Sequence, residues 1–180
     1  MELMLFEIST QRLLLKPISM DYKADIFREF TEEVTTYLYS EPSKKLQNTE
    51  NFINQSLLKI AKGEELVIVI LKKDSQEFLG CSGIHKINSK YPRYGIWLKK
   101  SAYKHGYATE TIVALNLWAE ENLNYEYLRY ALDKENTSSR RVAEKIGGKI
   151  GKEYDVITVS GKVLNLVEYR ISKKQNVEFC

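Results

Sequence analysis

The chain of 180 residues is long enough for one well-buried core and short for two, so one domain over 1–180 is expected, with its core at about 10–171. With 43% hydrophobic and 28% charged residues the composition is that of a soluble globular domain, and a net charge of +3 falls short of the basic stripe expected of a nucleic-acid binder. No apolar run reaches transmembrane length, Leu3-Met4-Leu5-Phe6 is too short for a signal segment, and the separated pairs Cys81/Cys180 and His85/His105 give neither a disulfide framework nor a structural zinc site.

A cytoplasmic protein without membrane attachment or metal is therefore expected. Cys81, among apolar neighbours, reads as a small core residue, and Cys180 as an exposed terminal thiol.

The first strand runs over 11–18 and is ended by Pro17. Asp21 then caps a helix through Phe27 and Phe30. Residues 32–39 continue as a second helical piece or an irregular turn, which Pro42-Ser43 breaks. Asn48-Thr49 starts a longer helix, with Phe52, Ile53, Ser56, Leu57, Ile60 and Ala61 on one face, and Gly63 ends it. The continuous apolar run 66–71 reads as a central strand. A turn at 73–76 leads into a strand over 78–87, where Gly80 and Gly83 permit close approach of another backbone. Residues 94–98 form the fourth strand.

A short basic loop follows, Tyr103-Lys104-His105-Gly106-Tyr107-Ala108-Thr109-Glu110. A helix opening at Gly106-Tyr107-Ala108 points unpaired backbone N–H groups at one spot, with the positive end of the helix dipole behind them. Such a strand-loop-helix turn is a cradle for phosphate, so a phosphorylated ligand is expected there. The helix carries Ala108, Ile112, Leu115 and Ala119 at helical spacing. A strand over 126–132 and a helix over 136–146, stopped by Gly147-Gly148, come next. Two strands, 149–159 and 163–171, close the chain, joined at Ser160-Gly161-Lys162. Short links between strands predict an α+β fold: a mostly antiparallel sheet of about seven strands with helices on both faces. The last strand, 163–171, offers an edge on which a homodimer could form. A monomer is equally compatible with the sequence.

The order of elements and three segments resemble the GCN5-related N-acetyltransferases (GNAT), in particular the ribosomal-protein alanine N-acetyltransferase-like branch. The resemblance covers about 10–171. Tyr103-Lys104-His105-Gly106-Tyr107-Ala108 is similar to the family's pyrophosphate loop, Gln/Arg-x-x-Gly-x-Gly/Ala, with Gly106 and Ala108 matching and Tyr103 departing from Gln/Arg. Asn136-Thr137-Ser138-Ser139 through Glu144-Lys145-Ile146-Gly147 is similar to the helix beside the cofactor's thiol end. Residues 80–85 with 92–97 look like the central strand pair, with Arg93 where relatives often carry Glu.

The resemblance implies an acetyl-CoA-dependent N-acetyltransferase, a GNAT-like sheet splayed between strands 4 and 5, and direct acetyl transfer to a primary amine in a ternary complex. Acetyl-CoA would contact Ile96, Trp97, Leu98, Tyr103, Lys104, His105, Gly106, Tyr107, Ala108, Thr109, Asn136 and Arg141. A backbone N–H of 96–98 would face the carbonyl oxygen, provided that strand is bulged and splayed. Ser139 is the candidate group for protonating or hydrogen-bonding the departing thiolate, against the alternative of a solvated helix residue. His85 is either a satisfied strand histidine or the acceptor of the substrate's proton. Glu33 and Arg93 are candidates for binding the acceptor, a small-molecule or peptide amine, with a solvated helical face as the alternative for Glu33. The competing reading is a non-catalytic acyl-CoA-binding sensor or partner module, suggested by Arg93 in place of a carboxylate.

Overall fold

The computed structural model describes residues 2–173, so Cys180 lies outside the described residues. Eight strands form one sheet in the order β1-β2-β3-β4-β5-β6-β8-β7. They are β1 (Ile8–Ser9), β2 (Leu13–Pro17), β3 (Glu65–Lys72), β4 (Phe78–His85), β5 (Arg93–Leu98), β6 (Tyr127–Asp133), β7 (Lys149–Ile157) and β8 (Val163–Ser172). Every pairing is antiparallel except β5 with β6. Four helices accompany them: α1 (Lys23–Glu29), α2 (Leu46–Ala61), α3 (Tyr107–Asn122) and α4 (Thr137–Lys145).

The helices lie in two pairs, α1 with α2 and α3 with α4. Two residues of β5 three positions apart, and so on opposite faces of the strand, show that the pairs sit on opposite faces of the sheet. Trp97 packs on Phe30 at the end of α1, whereas the Tyr94 hydroxyl donates to Asn116 of α3. With both faces covered, residues 66–71 of β3 are all buried, as a continuous apolar run requires. Gly80 and Gly83 are needed where backbones meet: a Cβ there would come within 2.2 Å of the Trp97 carbonyl oxygen and 2.5 Å of that of Leu66.

Three expectations are corrected. Asp21 does not cap α1; it sits in a 3-10 turn (Met20–Tyr22) and accepts from the Ser19 hydroxyl, and the helix begins only at Lys23. That local side-chain bond competes with helix capping. The second helix starts at Leu46 rather than at Asn48-Thr49, and Thr49 is buried inside its second turn. The strand over 163–171 is not an edge, because β8 lies between β6 and β7. The mostly exposed β7 is the edge strand on that side. The short β1, which brings the sheet to eight strands, lacks the length for a sequence signal.

The feature that positions the site is the join between β5 and β6. Only Arg93 and Arg129 pair across it, and beyond that point the two strands part. No helix among the described residues is long and apolar enough to cross a membrane.

Candidate active site

The splay leaves an open edge on β5. The Lys99 N–H donates to the Leu79 carbonyl, and the Gly95 carbonyl accepts from the Ser82 hydroxyl, so alternate residues of β5 face β4. The backbone groups of Ile96 and Leu98 therefore point the other way, into the gap left by β6. The β4–β5 register runs from Gly80/Leu98 to His85/Arg93 without a shift. The expected bulge is absent, and the divergence of β6 alone frees these groups.

Past the C-terminal end of β5, a 3-10 turn (Lys100–Ala102) leads to the basic loop. Lys104 (φ +65°) and Gly106 (φ +79°) both adopt left-handed backbone. This conformation turns successive N–H groups to one side, the geometry of an anion-binding nest. The N–H groups from Lys104 to Thr109 have no acceptor among the described residues, and the helix ladder begins only when Glu110 donates to the Gly106 carbonyl. Six consecutive orphan donors at the N-terminus of the sixteen-residue helix α3 fit a diphosphate.

Side chains brace this loop from below. Glu110 accepts from the Thr10 hydroxyl at 2.6 Å, from the Arg12 N–H at 2.9 Å and from Arg12 Nε at 2.7 Å. Burial would raise its pKa, but these donors outweigh that and hold it below the ordinary carboxylate value. Arg12 also donates to the His105 carbonyl at 2.9 Å and lies over the Tyr107 ring. His105 is exposed, its Nδ1 against the Tyr103 carbonyl oxygen and its ring stacked on Tyr107. Tyr103 is half-buried, with Lys100 over its ring. Sequence reasoning missed Arg12 and Thr10, because their partner lies about a hundred residues away.

Across the splay, Asn136 caps α4 by accepting from the Ser139 N–H at 3.1 Å. The Ser139 hydroxyl lies near Tyr130 of β6, without a bond of good geometry. The Tyr130 hydroxyl is buried without a partner, and burial pushes its pKa up to about 12. Arg140 is engaged by Tyr169 and the Lys134 carbonyl, which leaves Arg141 exposed beside it.

The other end of β5 borders a cavity of about 400 Å³. Phe27 and Phe52 of α1 and α2, Phe30, residues 38–41, and His85, Arg93, Gly95 and Trp97 of the sheet all line it. His85 is one-quarter exposed and its Nδ1 lies 3.0 Å from the Glu65 carboxylate. If Nδ1 donates its proton there, Nε2 keeps its lone pair. A Cβ on Gly95 would lie 3.2 Å from that Nε2, so the glycine leaves room beside the ring. Burial holds the His85 pKa below its ordinary value, with Arg93 and Lys59 acting in the same direction against the upward pull of Glu65. Glu65 is itself low: burial opposes ionisation, but His85 and Lys59 prevail. Glu65 had no sequence signal; only the β3–β4 register sets it opposite His85.

Cys81 also lines the cavity, and burial pushes its thiol well up, away from the reactive thiolate. Glu33, expected in the acceptor wall, is exposed instead and forms an ion pair with Lys100. The turn that holds it is tied down elsewhere, by Lys162 Nζ donating to the carbonyls of Thr35, Thr36 and Leu38.

Comparison with known proteins bears on this geometry. The family profile described as Acetyltransferase (GNAT) domain matches residues 12–149. The structure of the GNAT-family acetyltransferase from Bacillus anthracis superposes with a TM-score of 0.81 at 19% identity, covering 93% of this chain and 99% of that one. An acetyltransferase from Salmonella typhimurium that modifies the N-terminal serine of a 50S ribosomal subunit protein gives 0.80 at 14%, covering 92% and 97%. Spermidine N-acetyltransferase from Vibrio cholerae, in complex with CoA and spermine, gives 0.79 at 15%, covering 91% and 97%. At these identities the likeness is one of fold. No protein of curated function matches the chain.

Proposed function

The chain belongs to the GNAT acetyltransferase family, and from that premise we propose that it moves the acetyl group of acetyl-CoA to a primary amine. The attack is direct, within a ternary complex: the amine nitrogen bonds to the thioester carbon, the carbonyl oxygen takes up the charge, and the carbon–sulfur bond then breaks as the carbonyl re-forms, the sulfur leaving as CoA thiolate. Acetyl-CoA supplies the activated thioester. The N–H run from Lys104 to Thr109 holds its diphosphate, and the exposed Arg141 contacts its outer phosphate. The open edge of β5 pairs with its amide arm, and an N–H of Ile96 or Leu98 donates to the carbonyl oxygen as charge develops there.

His85 Nε2 takes the proton of the acceptor ammonium. Glu65 fixes the ring and its tautomer, and the lowered pKa keeps the ring a free base at neutral pH. The Ser139 hydroxyl donates a hydrogen bond to the departing thiolate, with the Tyr130 hydroxyl behind it. The buried Cys81 has no covalent role.

The observation that carries this reading is the arrangement along β5. A histidine held by a carboxylate stands at one end, six orphan N–H groups at the other, and an unpaired backbone edge between them. The His85–Glu65 pair also supplies a base that Arg93 cannot, which weighs against the non-catalytic alternative.

Calorimetric titration with acetyl-CoA, with ATP as control, followed by CoA release in the presence of amines, tests it. Micromolar binding selective over ATP, with amine-dependent CoA release, is expected. Tight binding without release on any amine would instead establish the binding module, and no binding would overturn both.

A further inference from the structure

One register line crosses five strands of the sheet. Glu65 of β3 stands opposite His85 of β4, His85 opposite Arg93 of β5, Arg93 opposite Arg129 of β6, and Arg129 opposite Arg170 of β8. Residues directly opposite in a sheet project from the same face, so this row of side chains lies along the face that carries the cavity. The row changes character along its length. Glu65 and His85 form the carboxylate–imidazole pair; the next three positions are guanidinium groups.

These guanidinium groups are short of acceptors. Arg93 lines the cavity and makes no ion pair among the described residues. Arg129 Nη1 lies 3.7 Å from Glu168 Oε2, and Arg170 Nε lies 3.9 Å from Oε1 of the same carboxylate. Both distances exceed hydrogen-bond length. Glu168 is 2% exposed and is the only carboxylate that Arg129 and Arg170 approach among the described residues. Nε of Arg129 and Nε of Arg170 are buried with no hydrogen-bond partner among the described residues. Tyr154 of β7 belongs to the same neighbourhood, since Glu168, Arg129 and Arg93 all act on its hydroxyl. A single buried carboxylate facing two guanidinium groups, with both of their Nε donors unmatched and a third guanidinium next in the row, is an incomplete ion cluster. Arg170 is occupied by stacking on Tyr127. Of the other two, Arg93 lines the cavity and Arg129 stands next to it in the row, outside the lining.

We propose that Arg93 and Arg129 form an anion subsite that selects amine acceptors carrying their own carboxylate. The inference rests on the acetyl-transfer reading of the same cavity. Adjacent strands are about 4.8 Å apart, which sets the carboxylate about 5–10 Å from the nitrogen held at His85. A planar carboxylate matches the guanidinium fork, and both bonds are charge-assisted. A polyamine would instead set a second ammonium against the two arginines. Acceptors of the required kind include ω-amino acids, and peptides whose first or second residue is acidic.

The test uses three acceptors of one length, 5-aminopentanoate, 5-aminopentanamide and 1,5-diaminopentane, and, for a peptide source, seryl-aspartate and seryl-asparagine with their C-terminal carboxylates amidated, so that only the side chain differs in charge. Acetyl transfer by the full chain should favour 5-aminopentanoate over its amide by about 10–100-fold in kcat/KM, the range of a charge-assisted hydrogen bond. The diamine should be poorest. Arg93→Gln and Arg129→Gln should each draw the acid-to-amide ratio toward one, and Arg129→Lys should restore part of it. A dipeptide pair that shows the larger ratio would identify a peptide as the source of the carboxylate, and the reverse a small molecule. Equal use of acid and amide by the wild-type protein, or a ratio unchanged in both glutamine variants, would overturn the proposal. Direct binding of the same compounds, followed by NMR without acetyl-CoA, separates the two readings. Acid-selective, arginine-dependent binding without transfer would keep the subsite and remove the transferase. Binding without acid preference would remove the subsite whether or not transfer occurs.

Discussion

The loop past the C-terminal end of β5 and the cavity at its N-terminal end are built from different material. The loop presents backbone: six consecutive N–H groups held by two left-handed residues and the start of α3. The cavity presents side chains from α1, residues 38–43, α2, β3, β4 and β5. Backbone donors serve any sequence that can adopt the turn, so Tyr103 can stand where the family's loop usually carries Gln or Arg. Side chains set which acceptor is bound and where the proton goes. The first region should therefore tolerate side-chain change but not backbone change, and the second the reverse.

The largest effect should come from the cavity. His85→Ala is expected to lower kcat by about 10²–10⁴-fold, the usual loss when a positioned base is removed. The Kd of acetyl-CoA should stay within about threefold, because the cradle does not involve this side chain. CoA-release kinetics beside calorimetry measures both; an equal loss in each would erase the contrast between the two regions.

In the loop, Gly106→Val should weaken acetyl-CoA by about 10–100-fold, since a β-branched residue resists a left-handed backbone and its φ of +79° sets the nest. His105→Ala, which removes only an exposed ring, should cost less than about fivefold. A larger loss for His105→Ala than for Gly106→Val would show that side chains, not backbone, hold the phosphates.

At the thiol end, Ser139→Ala should lower kcat by about tenfold, the loss of one charge-assisted hydrogen bond to the thiolate, and Tyr130→Phe should act in the same direction. The double variant should lose less than the product of the two, as neighbours do. Full additivity would separate the two hydroxyls.

The smallest effect is on pH. The acidic limb of kcat/KM should lie below the ordinary histidine value of about 6.5, because burial lowers the His85 pKa. Glu65 pulls that pKa up, so Glu65→Gln should move the limb further down while kcat falls for want of a fixed ring. Arg93 pushes it down, so Arg93→Gln should move the limb up. A limb indifferent to both substitutions would take His85 out of the proton path.

The two regions also differ in how far the sequence reveals them. Gly106 and Ala108 after an apolar run mark a cradle whose parts are adjacent in the chain, and 104–109 is where the orphan N–H groups lie. Likewise the all-buried strand 66–71 and the helix with Ile112, Leu115 and Ala119 inward follow from period alone. Glu33 takes the solvated alternative, exposed beside Lys100, because nothing local in the sequence fixes which way a charged residue of a wall-forming segment turns. Asp21 misled because Ser19 offered its hydroxyl a shorter-range partner than the helix.

What the sequence by itself determined is local: strand and helix identity, the backbone cradle, the cap at Asn136, and the glycines demanded by close strands. Such features depend on φ/ψ preferences and periodicity, which a few neighbouring residues set. Only the tertiary structure decided the row Glu65, His85, Arg93, Arg129 and Arg170, and the bracing of the loop by Thr10 and Arg12 through Glu110. Strand register and the parting of β5 from β6 are fixed by packing against helices on both faces, and a one-residue slip would send every member of that row to the other side of the sheet.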